Sequence, residues 1–293
     1  DGCGMVSNLF QRISFAVIAI PVALGVVWFG GWPLVGLLAI IGALGSRELF
    51  NFAQRQQIAP LSAWGIASAA ALPFLVYLSI ITPGGWLAFL LGNSWFLAAL
   101  WLVATLTIAL ARRTPSDRPL AVTAITVFAV GYTAGLPATL LPIRHFTEPG
   151  RSWAGAWLVF TPLVITWVCD TAAMFVGRLI GGPKLWPAIS PGKTWAGSVA
   201  GVVAALATVP LLNSLVLERQ GVALPITQGL IFALVLGIVG QIGDLAESLF
   251  KREVGLKDSS AIIPGHGGIL DRFDSLYFVL PVSAAFYRLV GII

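Results

Sequence analysis

A chain of 293 residues that is 58% hydrophobic and only 10% charged cannot present a water-facing surface, because a soluble domain carries roughly 25% charged residues. Its mean hydropathy of +0.92, and several apolar runs longer than the ~18 residues that cross a bilayer as a helix, define an all-α, polytopic integral membrane protein. The runs are continuous rather than alternating in period two, which excludes a β-barrel. The net charge of +5 is scattered through short loops, a membrane-topology pattern rather than a nucleic-acid-binding one.

Asp1–Gly4 precede Met5 and read as a remnant of expression. The apolar stretch after Met5 has no A-x-A-like cleavage site, so it reads as a first span rather than a cleaved signal peptide. The pattern predicts about nine spans, at 13–29, 32–45, 61–81, 86–110, 120–141, 153–176, 195–217, 226–243 and 275–293. The second is short and is expected to be tilted or half-inserted, paired with the first through Gly30-Gly31. Stretches 46–59 and 111–118 read as polar connectors. Pro21, Pro73, Pro137 and Pro162 lie inside apolar runs, where neighbouring helices can satisfy the freed backbone groups. Residues 5–150 form an N-terminal set of spans and 151–293 a C-terminal, catalytic set.

Orientation follows from the basic residues. With the N-terminus inside, thirteen Lys and Arg face the cytoplasm: Arg12, Arg47, Arg55, Arg112, Arg113, Arg118, Arg178, Lys184, Lys193, Lys251, Arg252, Lys257 and Arg272. Four (Arg144, Arg151, Arg219 and Arg288) face the other side. That bias predicts a cytoplasmic N-terminus and a C-terminus on the opposite side.

The chemistry gathers in the second half. Six of the 12 acidic residues fall between 244 and 274: Asp244, Glu247, Glu253, Asp258, Asp271 and Asp274. Asp244, Glu247, Ser248 and Lys251 follow the eighth run at i, i+3, i+4 and i+7, on one face of a helix leaving the membrane. A solvated helix end with internal ion pairs would read the same way. Next come Lys257-Asp258, then Pro264-Gly265-His266-Gly267-Gly268, whose glycines let backbone approach a ligand. Asp271 and Asp274 stand one turn apart on a helix expected to begin near Ile269. They could serve the helix dipole alone, but with Arg272 between them they suit Mg2+ held together with substrate phosphates.

Upstream, Ser190-Pro191-Gly192-Lys193-Thr194 reads as a helix start, with Ser190 as N-cap and Pro191 at the first helical position. Such a start, with Lys193, suits an anion. A P-loop is excluded, since Pro187 stands where the first glycine is required. Asp170 follows Cys169 in an apolar run. It is either a packing group bonded to Thr166 or Thr171, or a ligand-contacting acid of the kind intramembrane carboxylates usually are. His145, beside Arg144, reads as an outer-loop residue.

Together these residues resemble the phosphatidate cytidylyltransferases, also called CDP-diacylglycerol synthases. The resemblance rests on Ser248-Leu249-Phe250-Lys251-Arg252, Lys257-Asp258, Pro264-Gly265-His266-Gly267-Gly268 and Asp271-Arg272-Phe273-Asp274, with fixed gaps over 27 residues (248–274). Ser190–Thr194 and Asp170-Thr171 add to it, whereas residues 1–150 resemble the family in hydropathy only. The family often has a basic residue where Gly192 stands and an aromatic one where Met174 stands.

The resemblance implies that CTP and phosphatidic acid react to give CDP-diacylglycerol and pyrophosphate in phospholipid biosynthesis. It implies that Asp244, Asp271 and Asp274 hold Mg2+, with a second cation left open, and that Lys251, Arg252 and His266 are catalytic. It implies that Ser190, Lys193, Thr194, Ser248, Lys257, Asp258, Gly267, Gly268, Arg272 and Asp170 bind substrate. It further implies a homodimer among membrane lipids, expected in a bacterial inner membrane with the site facing the cytoplasm. No protein nucleophile is needed, because the lipid phosphate itself attacks.

Two other readings compete. A CTP-dependent lipid kinase would pass on the γ-phosphoryl group and release CDP, and the stretch 248–274 speaks against it. A secondary transporter predicts repeat symmetry and acids near the midplane, whereas here the acids gather at one face.

Overall fold

The computed structural model describes residues 17, 21–82, 84, 85, 89, 92–146, 153–263 and 267–293. The architecture is helical. Residues 21–29 are helical and end at Gly30 and Gly31, both at positive φ (65° and 58°), a conformation open to glycine at little steric cost. There follow α1 (Gly31–Arg55), α2 (Ser62–Ile81), α3 (Ser94–Arg112), α4 (Pro119–Arg144), α5 (Trp153–Ile180), α6 (Trp195–Gln220) and α7 (Ile226–Glu253). These seven are the described helices long and apolar enough to cross a membrane. A further helix, α8, runs Leu270–Leu289, and a two-stranded antiparallel hairpin pairs β1 (Lys184–Trp186) with β2 (Ser190–Thr194).

The second span is longer than its apolar core. α1 continues through residues 46–55, which the polar composition marked as a connector. Ser46, Glu48, Leu49, Phe50, Phe52 and Ala53 are all buried, so the inward face continues and itself takes in two polar side chains, Ser46 and Glu48.

The chain forms two compact units. The first comprises residues 1–141 and 258–272, the second 142–257 and 273–293. In the first unit α1 packs on α2 and α4. Gly42 sits where a Cβ would meet Ala134 and the Ala69 carbonyl at 3.0 Å. Ser46 Oγ lies 2.7 Å from Thr133 Oγ1, which donates to Ala129 O (2.8 Å) within α4. Thr133 lies in a π turn at Gly131–Gly135, just ahead of Pro137, a common site for local irregularity. Trp64 and Trp101 donate their indole N–H groups to Thr105 and Ser68 (2.8 Å each), so both rings sit in lipid-facing helices with their polar atoms satisfied.

In the second unit small residues let α5, α6 and α7 approach closely, as the glycine pattern suggests. A Cβ on Gly197 would stand 2.5 Å from Ala173 O, and one on Gly201 2.9 Å from Cys169 O. Gln241 of α7 bridges these helices. It accepts from Ser198 Oγ (2.5 Å) and donates to Gly237 O (2.9 Å) and Ser198 O (3.2 Å). Tyr287 of α8 donates to Leu158 O on α5 (3.1 Å). His145 lies in the turn after α4, outside the helix as expected, and both it and Arg144 are buried, at 5% and 1% exposure.

Gly155 shows how tight this packing is. Its missing Cβ would fall on the carbonyl oxygen of Arg144, closer than real contacts allow. Because that neighbour is backbone, Gly155→Ala is expected to destabilise the fold by about 1–3 kcal/mol, the usual cost of overpacking. Thermal unfolding in detergent checks this; an unchanged midpoint would show that the α5 start relaxes freely.

Candidate functional site

The residues singled out by the sequence fall into two local groups, one in each unit. In the second unit, Lys193 Nζ lies 2.6 Å from Asp244 Oδ2, tying β2 to α7. Ser248 Oγ donates to Asp244 Oδ1 at 3.3 Å, one turn along. Lys251 pairs with Glu247, whose side chain is fully buried. The helix face expected from the i, i+3, i+4, i+7 spacing is therefore present, and its members are linked to each other. Asp170 lies within electrostatic range of Asp244 and Lys193. Asp274 lies within range of Asp244, Asp170 and Lys251. With Glu247, four carboxylates and two ammonium groups thus share one neighbourhood on α5, β2, α7 and α8. Thr166 does not pair with Asp170; its hydroxyl donates to Pro162 O (2.8 Å).

The start of α6 differs from the sequence expectation. Ser190 and Pro191 are not its N-cap and first residue: Ser190–Thr194 is a strand, and the helix begins at Trp195. Thr194 is the N-cap, with extended backbone (φ −121°, ψ 155°) and a side chain accepting from Gly197 N at 3.1 Å. Pro191 fits either assignment, because a fixed φ suits both a first helical turn and an edge strand. The hairpin is held by Arg252, whose Nε donates to Ile189 O (3.1 Å) and Nη1 to Leu256 O (3.2 Å). Arg252 thereby gains a positioning role that its basic character alone did not reveal.

In the first unit the glycine-rich stretch closes on two acids. Asp271 Oδ2 accepts from Ser259 N (2.8 Å), Ser259 Oγ (2.9 Å) and Gly268 N (2.8 Å). Glu48, on α1 and fully buried at 0% exposure, accepts four bonds. Ser260 Oγ (2.6 Å) and Ile269 N (2.9 Å) donate to its Oε1; Ser259 Oγ (2.8 Å) and Leu270 N (2.9 Å) donate to its Oε2. Hydrogen bonds to an ionised group contribute about 1.5–3 kcal/mol each, which is how a carboxylate tolerates such burial.

The same atoms account for Gly267 and Gly268. A Cβ on Gly267 would stand 2.5 Å from Asp271 Oδ2, and Gly267 has φ 81°; one on Gly268 would overlap Ser259 Oγ and the Glu48 carboxylate. Both glycines make room for acids, besides any approach to substrate. Lys257, Asp258 and Arg272 are exposed. His266 lies outside the described residues.

Glu48 was not among the residues picked out from sequence. Residues 46–59 looked like a connector, and a lone acid in a connector carries no signal. The missed clue is the continuation of apolar positions at Leu49, Phe50, Phe52 and Ala53, which keeps a helical period and places Glu48 on the buried side.

A divalent cation suits the acids of the second unit. They repel one another, and Mg2+ needs only one or two carboxylates when substrate phosphates complete its shell. Among the described residues no group of three or more His, Cys, Asp or Glu side chains is placed to hold a metal ion by itself.

Comparison with known proteins gives a consistent picture. Residues 10–290 match the model of a family described as the cytidylyltransferase family. A phosphatidate cytidylyltransferase of Staphylococcus saprophyticus is 36% identical over 271 residues, covering 92% of this chain and 96% of that protein. A phosphatidate cytidylyltransferase of Brucella suis is 34% identical over 290 residues, covering 98% and 94%. One from Staphylococcus haemolyticus is 33% identical over 271 residues, covering 92% and 96%.

Proposed function

From the premise that the chain belongs to the cytidylyltransferase family, we propose how its residues carry out the reaction its relatives are named for. The protein is a membrane-embedded nucleotidyltransferase of phospholipid biosynthesis, a phosphatidate cytidylyltransferase by activity. A phosphate oxygen of phosphatidic acid attacks the α-phosphorus of CTP. The bond from that phosphorus to the oxygen bridging to the β-phosphorus breaks, and pyrophosphate leaves with the electron pair. CDP-diacylglycerol remains in the membrane. The kinase and transporter readings find no counterpart among the matched relatives.

The observation that carries the reading of the site is the ion-paired group Lys193–Asp244 beside Lys251, Asp170 and Asp274. Bringing two phosphate esters together concentrates negative charge, and fixed cationic groups offset it without reorganising. Lys193 and Lys251 serve as those cations, with Arg252, Lys257 and Arg272 as further phosphate contacts. Ser190, Thr194, Ser248, Asp258, Gly267 and Gly268 line the path of the nucleotide and headgroup, Asp170 contacts substrate, and His266 reaches the nucleotide or its proton. Asp244, Asp271 and Asp274 hold Mg2+, which when bound supplies Lewis-acid stabilisation of the phosphoryl oxygens. The residues' own task is orientation: Asp244 holds Lys193 at the hairpin, and Arg252 fixes the hairpin itself.

The excess of basic residues on one side supports a cytoplasmic site, N-terminus inside and C-terminus outside, in a bacterial inner membrane. Nine spans and a homodimer complete the proposal. The test uses CTP labelled at the α-phosphate, and in a parallel sample at the γ-phosphate, with phosphatidic acid, diacylglycerol and Mg2+ in detergent. Label entering the lipid with stoichiometric pyrophosphate supports the reading. Release of CDP, with only γ-label reaching a lipid alcohol, would replace it with the kinase.

A further inference from the structure

The first unit holds an acid that the reaction scheme leaves unassigned. Glu48 is buried in a membrane helix, where an ionisable group is costly and usually functional. Its four donors come from two places in the chain: the hydroxyls of Ser259 and Ser260, and the amides of Ile269 and Leu270 at the start of α8. One carboxylate therefore clamps both ends of the glycine-rich stretch, and Asp271 stands at the second position of the helix so clamped.

The Ser259 hydroxyl adds a direct link. It lies 2.8 Å from Glu48 Oε2 and 2.9 Å from Asp271 Oδ2, yet carries a single proton, so the two acids share one donor. Gly268 leaves space for this meeting, since a side chain there would displace Ser259 Oγ and both Glu48 oxygens.

We infer that Glu48 is a positioning residue for the transfer reaction: through Ser259 and the α8 start it fixes the direction of the Asp271 carboxylate. The inference rests on the reading of Asp271 as a reaction-site acid. The clamp is specific for a carboxylate. Glutamine would place an NH2 group where one oxygen stands. A serine hydroxyl can reverse to meet it, but each oxygen also faces a backbone N–H, from Ile269 or Leu270. Either amide orientation sets donor against donor, so Glu48→Gln loosens the helix start although it keeps size and shape. Glu48→Asp keeps the charge and loses one methylene of reach.

The test compares full-length wild type, Glu48→Gln, Glu48→Asp, Ser259→Ala and the Glu48→Gln/Ser259→Ala double variant in detergent, with two readouts. Amide exchange of the peptide spanning 259–272, without substrates, is expected to quicken about tenfold or more in Glu48→Gln, as for a lost buried hydrogen bond. Exchange in α2 and α3 stays as in wild type. In steady state kcat falls by about 10²-fold with KM for CTP within about threefold, the effect of misplacing a site group by ~1 Å. Glu48→Asp recovers a tenfold share of that loss, and the double variant is no worse than the poorer single one. Wild-type exchange at 259–272 overturns the clamp. Wild-type kcat in a loosened Glu48→Gln, or losses that multiply in the double variant, overturn the positioning role. Failure of the reaction assignment would show separately, as wild-type protein that makes no CDP-diacylglycerol while the exchange difference persists.

Discussion

Asp244→Asn is expected to lower kcat by about 10²–10³-fold, the range seen when one preorganised group that stabilises transition-state charge is removed. Asp244 is the hub of the second unit's polar group. Lys193 lies 2.6 Å from one of its oxygens, Ser248 donates to the other, and Asp170 and Asp274 both feel its charge. Asparagine keeps the shape and removes the charge, so Lys193 loses its ionic partner, while the Arg252 bond to Ile189 still ties the hairpin to α7. The loss should appear in kcat more than in the midpoint of thermal unfolding. Lys193 is about a quarter exposed (26%) and Asp244 about a third (31%), so their pairing is screened and contributes little to stability. Activity within threefold of wild type would remove Asp244 from the reaction machinery. A large fall in unfolding midpoint with normal kcat in the folded fraction would reassign it as structural.

Gly268→Ala is expected to abolish measurable turnover and lower the unfolding midpoint together. The added methyl group would fall on Ser259 Oγ and on the Glu48 carboxylate. Neither can retreat, because Glu48 is fully buried and bonded to four donors, and Ser259 is itself buried at 5% exposure. Displacing the carboxylate exposes its donors to mismatch inside the protein, where a lost partner costs about 1–3 kcal/mol. Gly267→Ala presses on the Asp271 carboxylate instead and also requires a left-handed backbone (φ 81°). The two glycines thus separate two acids: losses of equal kind in both variants are expected, but only Gly268→Ala should disturb residues around Glu48. Tolerance of alanine at 268 would show that the α8 start shifts without consequence.

The membrane helices were legible because their cause is simple. Long apolar runs need no partner to be recognised, and six of the predicted spans lie on helices from Ser62–Ile81 to Ile226–Glu253, four of them within about four residues at both ends; the helix at Ser94–Arg112 starts later and that at Ile226–Glu253 runs further than its apolar run. Two features were hidden for physical reasons. The end of α1 exposes Arg47, Asn51, Gln54 and Arg55 and buries Ser46 and Glu48 among apolar neighbours, so its polar composition masked a helix that continues to Arg55. The hairpin carrying Lys193 was concealed because Pro191 satisfies both a helix start and a strand, and three-residue β1 has no periodicity to read.

The site was legible in its residue types but not in its connections. The i, i+3, i+4 and i+7 spacing brought Asp244, Ser248, Glu247 and Lys251 together as expected. The links from Lys193 to Asp244, from Arg252 to Ile189 and from Glu48 to Ser259 span about 50, 60 and 210 residues. Pairings at such separations leave no periodic trace in one sequence. The glycines of the 264–268 stretch were read as an opening for ligand; at Gly267 and Gly268 they are equally the space that Asp271 and Glu48 occupy.

Cation binding with the nucleotide by Asp244, Asp271 and Asp274 is the core of the proposed site. Its most direct measurement is Mn2+ binding, as a spectroscopic substitute for Mg2+, by electron paramagnetic resonance in the presence of CTP and without lipid. Wild-type protein is expected to immobilise Mn2+ in a CTP-dependent manner, and Asp244→Asn, Asp271→Asn and Asp274→Asn are each expected to weaken that binding by about tenfold or more. Undiminished Mn2+ binding in all three variants would contradict the account and move the cation to other ligands.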